Sequence, residues 1–226
     1  MEILHNDYTL DIPAGCFPLT TDSLLLADFV RLRQSSTVLD LGSGCGTLGL
    51  LLCAGDPGCH VHGVEIDPAA HAAALENIRR NGLQHRMSSE CADLRSIGIG
   101  NYHCCVSNPP YYTGGPASQT VPNARRDDLC EPEVLLRTAS AALRYGGDFY
   151  LVHKPERLAQ LIACGAAAGL EAKRLRLIRH HAGGPVTLIL LQFRKGGKPG
   201  LVWEEECLHL SDGTPSDYYR ALYHIK

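Results

Sequence analysis

Asn108-Pro109-Pro110-Tyr111 is the stretch of this chain best equipped for chemistry. An apolar run, Cys104-Cys105-Val106-Ser107, leads into it, and a loop rich in Tyr, Gly and Pro leaves it. That order predicts a strand ending in a stiff turn. Each proline holds its own φ at about −65° and biases the residue before it away from the helical region. The Asn108 amide and the carbonyls of Asn108 and Pro109 are thereby fixed relative to one another, with the Tyr111 ring beside them. Such a turn can accept hydrogen bonds from a planar amino group while the ring stacks on the base that carries it. Asn-Pro-Pro also occurs in ordinary turns, so its weight depends on what lies upstream.

Upstream lies Val38-Leu39-Asp40-Leu41-Gly42-Ser43-Gly44-Cys45-Gly46-Thr47, a glycine-rich turn between a predicted strand and a predicted helix. Glycines let the backbone turn sharply and pass close to a ligand. A Gly-x-Gly match alone fits a dinucleotide equally well. The spacing here is Gly42-x-Gly44-x-Gly46, and Asp40 stands two residues before the first glycine. An acid at that point suits a ligand carrying an ammonium and a sulfonium better than a pyrophosphate. The next predicted strand ends in Val64-Glu65-Ile66-Asp67, where a carboxylate can accept from both hydroxyls of a ribose. Asp93-Leu94 follows the third predicted strand, with Asp93 placed to accept from an adenine amino group. Any one of these acids could be a plain loop residue; their order reinforces a single reading.

The elements that position these residues alternate between short apolar runs and helical segments, the pattern of a mostly parallel α/β sheet. Strands are predicted at 37–41, 60–66, 87–91, 102–107 and 148–153. Helices are predicted at 47–54, 68–81, 132–144 and 155–168. Pro68 at the start and Gly82 past the end of the second helix give the expected asymmetry. Residues 172–179 and 186–194 predict an antiparallel pair at the sheet edge, and 201–203 a further short strand. Residues 108–130 are too long for a simple connector. We expect three parts: 1–36 covering the site, 37–195 as the main domain, and 196–226 packed on it.

At 226 residues, with 45% apolar and 20% charged side chains, the chain can bury one sizeable core. No basic leader followed by an apolar run opens it and no stretch is long enough to span a membrane, so a cytoplasmic protein without a membrane partner is expected. Its ten cysteines include no Cys-x-x-Cys pair, and with the histidines they fit no familiar zinc spacing; no metal is expected. The net charge of −3 gives no overall sign of a nucleic-acid partner. Residues 171–200, however, set seven Lys and Arg, among them Arg174 and Arg176, against Glu171 alone. That strip is either a phosphate-tracking surface or a solvated strand face.

Asp40-x-Gly-x-Gly-x-Gly, Glu65, Asp93 and Asn108-Pro-Pro-Tyr resemble the ordered motifs of the S-adenosylmethionine-dependent amino-methyltransferases, over about residues 17–195. Within them, Phe17-Pro18-Leu19-Thr20-Thr21-Asp22-Ser23 and Val152-His153-Lys154-Pro155 resemble the bacterial tRNA adenine-N6 methyltransferases that act beside the anticodon of valine tRNA. The resemblance implies a Rossmann-like seven-stranded sheet, mostly parallel with an antiparallel edge hairpin. It implies S-adenosylmethionine held by Thr21, Asp40, Gly42, Gly44, Gly46, Glu65, Ile66, Asp93, Leu94 and Asn108. Asn108 Oδ1 and the Pro109 carbonyl would accept the two amino protons, directing the nitrogen lone pair at the methyl group. Asp22, Pro110, Tyr111 and Tyr112 would face the substrate, with RNA as the partner; the basic strip, if it tracks phosphates, would set Arg174 and Arg176 on the RNA backbone.

Alternatives stay open at this point. The same tetrapeptide serves methylation of a glutamine amide in release-factor methyltransferases, which carry an N-terminal helical domain; only 36 residues precede the first predicted strand here. Guanine-N2 enzymes of ribosomal RNA more often begin the tetrapeptide with Asp. A catalytically silent RNA-binding module is the reading outside enzymes. Residues 113–130 match none of these families residue by residue.

Overall fold

The computed structural model describes residues 1–111 and 131–224. A two-stranded ribbon of β1 (Glu2–Ile3) and β2 (Thr9–Leu10) opens the chain, followed by α1 (Thr21–Phe29). The main body then runs β3 (Thr37–Leu41), α2 (Thr47–Gly55), β4 (His60–Glu65), α3 (Pro68–Arg80), β5 (Met87–Cys91), β6 (Tyr102–Ser107), α4 (Pro132–Ala142), β7 (Leu143–His153) and α5 (Leu158–Ala167). It closes with β8 (Leu170–His181), β9 (Val186–Lys195), β10 (Val202–His209) and α6 (Asp217–Leu222).

The main sheet has the order β10-β8-β9-β7-β6-β3-β4-β5. From β7 to β5 all neighbours are parallel; β9 runs antiparallel between β7 and β8. The expected mostly parallel sheet with an antiparallel hairpin is therefore what forms. It gains an eighth strand, because the short run expected at 201–203 continues to His209 and pairs parallel with β8. The hairpin is consequently covered by β10 and does not form the edge.

Parallel strands covered on both faces must be apolar throughout, and the two faces of this sheet show why. Val38, Val61, Cys104, Val106, Tyr150, Leu188 and Leu190 pack with α1, α2 and α3 on one side. Their immediate neighbours Leu39, Cys105, Phe149, Leu151, Ile189 and Leu191 pack with α4 and α5 on the other. Several cysteines thus serve as small buried hydrophobes. α3 forms as expected: Asp67 Oδ1 accepts from the Ala69 and Ala70 amides and Pro68 occupies the first turn.

Three boundaries differ from expectation. The helix expected to reach residue 144 ends at Ala142, because Leu143 is buried and pairs with Tyr102 to start β7. The helix expected from 155 begins with a 3-10 turn, Pro155–Arg157, before α5. Thr21–Phe29, expected only as a covering segment, is a helix with Ser23, Leu25, Leu26 and Phe29 buried.

The N-terminal ribbon is pinned onto the body by two asparagines of the α3 end. Thr9 N donates to Asn81 Oδ1 at 2.7 Å and Asp11 N to Asn77 Oδ1 at 2.9 Å. Buried Asn77 in turn donates to the carbonyls of Asp11 and Cys45. The glycine loop and the segment leading to Cys16 and Phe17 are thereby tied to one side chain.

Candidate active site

The carboxyl ends of β3, β4 and β6 open into one cleft. Gly42, Gly44 and Gly46 all take positive φ, at 76°, 55° and 84°, a region that L side chains rarely adopt. A Cβ on Gly42 or Gly44 would meet no atom within 4 Å, whereas one on Gly46 would meet Met87 Cε at 2.9 Å. The first two glycines thus keep the cleft open and the third allows the loop to pack.

Glu65 shapes this loop. Its carboxylate accepts from Gly44 N and from Asp67 N, each at 2.8 Å. A carboxylate offers about four lone-pair positions, so two remain on Glu65, which lines the cleft, the number that the two hydroxyls of a ribose require. Asp40 beneath is fully buried, and neither of its oxygens has a hydrogen-bond partner among the described residues. Burial, with the Glu65 charge beside it, pushes its carboxyl up to about 7. An orphaned buried acid on the wall of a pocket fits a ligand that brings a cation.

The other end of the cleft is the Asn-Pro-Pro turn. Ser107 Oγ donates to the Leu41 carbonyl at 2.8 Å, locking the end of β6 against the end of β3. Asn108 Nδ2 donates to Ser23 Oγ at 3.1 Å, and Asn108 Oδ1 accepts from Tyr111 OH at 3.0 Å. Both amide atoms are therefore anchored by hydroxyls, and Oδ1 retains an acceptor position. Asn108, Pro109, Pro110 and Ser23 line the same cleft as Asp40, Gly42, Gly44, Glu65, Ile66 and Leu94, while Gly46, also expected to hold the cofactor, packs against Met87 and Ala74 instead.

Tyr111 lies differently from expectation. Its hydroxyl points back at Asn108, its ring meets His153 edge-on at 5.2 Å, and Lys154 Nζ sits 5.3 Å from its centroid. Burial, with Asp22 nearby, pushes its phenol up, so it remains a donor. Its ring packs against the core, and the contacts it makes serve to hold Asn108. Tyr112 lies outside the described residues.

Other expected site residues are placed away from the cleft. Asp93 caps the turn after β5, accepting from Arg95 N at 2.8 Å and pairing with the Arg95 guanidinium at 2.6 Å; Leu94, not Asp93, forms the wall. Thr21 Oγ1 is hydrogen-bonded to Tyr223 OH at 2.6 Å. Arg174 and Arg176 correct the expectation of a phosphate strip. Arg174 bonds Glu204 at 2.9 Å and the Phe29 carbonyl, and Arg176 bonds Glu204 at 3.0 Å and Asp28 at 2.6 Å. Arg176 is only 8% exposed. The acids that hold both guanidiniums come from α1 and β10, far along the chain, which is why composition alone made the strip look free.

Cys16, Phe17, Ser23, Ser43 and Leu135 also line the cleft and were not foreseen. Ser23 was legible in principle: it lies three residues before Leu26 and six before Phe29, on the buried stripe of α1. A small polar residue on an apolar stripe points inward.

A doubly covered, mostly parallel sheet with an acid-and-glycine pocket meeting an Asn-Pro-Pro turn at its carboxyl edge defines a Rossmann-like methyltransferase. The family model for the methyltransferase small domain matches residues 19–162, and the chain belongs to that family. It is a methyltransferase. Among curated relatives, the tRNA1(Val) (adenine(37)-N6)-methyltransferase of Tolumonas auensis is 31% identical over 89% of this chain and 86% of its own. The enzymes of the same name from Edwardsiella ictaluri and Bacteroides fragilis are each 32% identical over 76% of this chain, and 72% and 75% of their own. In fold, the chain is similar to a predicted O-methyltransferase of Agrobacterium tumefaciens, with TM-score 0.75 at 21% identity over 90% and 96% of the two chains. A methyltransferase of Pyrococcus furiosus gives 0.63 at 21% identity over 83% and 89%.

Proposed function

We propose that this enzyme methylates N6 of an adenine in a tRNA anticodon loop, of the valine type that its relatives are named for. The observation that carries this reading is the doubly fixed Asn108 amide, whose Oδ1 remains an acceptor at the mouth of the cofactor cleft. When bound, S-adenosylmethionine supplies an electrophilic methyl on a sulfonium. Adenine N6 is a poor nucleophile because its lone pair is delocalised into the ring. Asn108 Oδ1 and the Pro109 carbonyl accept hydrogen bonds from its two N–H groups, which draws the nitrogen toward a tetrahedral shape and frees the lone pair; the amine would gain the methyl as the thioether leaves and would give up one N–H proton to water. The rate gain comes from holding the nitrogen in line and from dipoles already oriented before it arrives. An unpaired loop base costs little to turn out.

The Glu65 acceptors and the Asp40 carboxylate hold the ribose and cationic end of the donor in this reading. Asn108→Ala tests it. The variant should bind S-adenosylmethionine as the parent does and lose methyl transfer to tRNA by at least about 100-fold, the scale set by removing one preorganised hydrogen-bonding group. Transfer at the parental rate would sink the mechanism. Offering labelled donor with total tRNA, ribosomal RNA or release factor in parallel tests the substrate; label in anything but tRNA would overturn that assignment.

A further inference from the structure

Five aromatic rings form a continuous ladder outside the catalytic cleft. His180 and His181 close β8 with centroids 4.4 Å apart, and His209 at the end of β10 stands 4.8 Å from His180 and 5.5 Å from His181. Tyr219 lies 5.1 Å from His209, and Tyr223 stacks on Tyr219 at 4.5 Å with 27° between planes. Tyr223 OH then meets Thr21 at the start of α1, two residues before the Ser23 that holds Asn108. One end of the ladder is exposed at His180 and His181; the other is half-buried beside the site.

Topology puts the ladder on the correct rim. His153, at the carboxyl end of β7 and against Tyr111, pairs with Ile189 near the start of β9. Arg179 pairs with Val186, and His181 with His209. The histidines therefore extend the carboxyl edge on which the Asn-Pro-Pro turn lies. We propose that this ladder is a stacking platform for the unpaired bases that flank the target adenine, an inference that rests on the RNA substrate proposed above.

The chemistry of the patch fits bases better than other occupants. Partial loss of solvent against its ring neighbours, with His181 and His209 beside it, holds the exposed His180 below the ordinary imidazole range, so it offers a neutral flat ring. No trio of His, Cys, Asp or Glu among the described residues is placed to hold a metal. Two nearby acids are engaged internally, Glu205 with Arg179 at 3.2 Å and Asp212 with Thr214. Lys154 over Tyr111 provides a cation for phosphates at the same rim. The histidine rings meet one another tilted or edge-on, at 60°, 72° and 49°, and aromatic rings on which bases can stack, beside cations, are the usual means of holding single strands.

The experiment compares the parent with His180→Ala/His181→Ala and with His180→Phe/His181→Phe. Both residues are exposed, so folding is checked simply by unchanged melting and unchanged S-adenosylmethionine affinity. Two probes are used: a synthetic stem-loop RNA with a seven-base loop, and an unstructured octa-adenylate. The alanine pair should weaken binding of both by roughly ten-fold, with the phenylalanine pair close to parental, because stacking survives in Phe. Methyl transfer at saturating stem-loop should stay within about two-fold, since the ladder holds neighbours of the base and leaves the reacting atoms alone. Parental affinity of the alanine pair for both probes overturns the platform, as does a parent that binds neither. Weakened octa-adenylate binding with a stem-loop that the parent does not methylate would retain the platform and remove the tRNA reading.

Discussion

Asn108 is productive only in one of its two amide orientations, and two hydroxyls hold the plane of that amide in place. Ser23 Oγ takes the Nδ2 donor and Tyr111 OH occupies one acceptor position of Oδ1. Flipping the amide would reverse the direction of both bonds, which hydroxyls allow because they donate or accept, and would turn a donor toward the substrate amine. Ser23 is thus a positioning residue, and Ser23→Ala should lower kcat roughly five-fold while leaving the KM for S-adenosylmethionine unchanged, the loss of a hydrogen bond worth about 1 kcal/mol. Ser23→Thr, which keeps the hydroxyl, should recover most of kcat. A fall in donor affinity with kcat intact would assign Ser23 to the cofactor instead. Tyr111→Phe removes the second bond but keeps the ring on His153, so steady-state kinetics should show it losing rate without losing RNA affinity. At this scale the sequence exposed the tetrapeptide and concealed Tyr111's orientation, because a ring after two prolines can swing toward solvent or toward the core. Only the packing of His153 and Lys154 decides it.

The strand–loop–helix unit from Thr37 to Gly55 carries an electrostatic cost at Asp40. Its folded carboxyl sits at about 7 against an ordinary 3.8, so between those values the folded chain binds more protons than the unfolded one. Stability of the ligand-free protein therefore falls as pH rises through that window, and the penalty is complete above about 7. Asp40→Asn keeps the shape and removes the titration. Thermal melts of the two proteins should coincide near pH 4 and diverge by several degrees at pH 7.5, the variant melting higher, at about 2–4 °C per kcal/mol for a chain of this size. Parallel curves across that range would show that Asp40 is satisfied in solution. The variant should also bind S-adenosylmethionine more weakly, since it no longer meets a cation with a charge. Glycine spacing and the apolar strands made this unit readable in advance, because both are local. The end of α4 at Ala142 and the eighth strand were not, since each is set by pairing with a distant strand: Leu143 with Tyr102, and Val202–His209 with β8.

Across the whole molecule, the last segment of the chain holds the first helix in place. Arg176 on β8 bridges Asp28 of α1 and Glu204 of β10, and shares Asp28 with Tyr218 of α6. Its guanidinium lies 5.1 Å from the Phe29 centroid, and that of Arg174 lies 4.2 Å away. Thr21–Tyr223 closes the far end of the same helix. α1 is thus clamped by residues about 150 to 200 positions later, and Ser23 on its inner face is what orients the catalytic amide. This explains why a basic strip that read as an RNA surface is structural. The carboxylates are partly solvated, at 44% and 36% exposed against 10% for the arginine side chain. Removing the cation should therefore cost less than the 3–5 kcal/mol of a fully buried pair, about 1–3 kcal/mol. Arg176→Ala should accordingly melt several degrees lower and become susceptible to proteolysis within 20–36, while S-adenosylmethionine affinity, set by the glycine loop and Glu65, changes little. Methyl transfer should fall with RNA affinity near parental, because the loss acts through α1 on Asn108. If RNA affinity drops while melting temperature and protease resistance hold, Arg176 contacts the nucleic acid and the clamp is wrong.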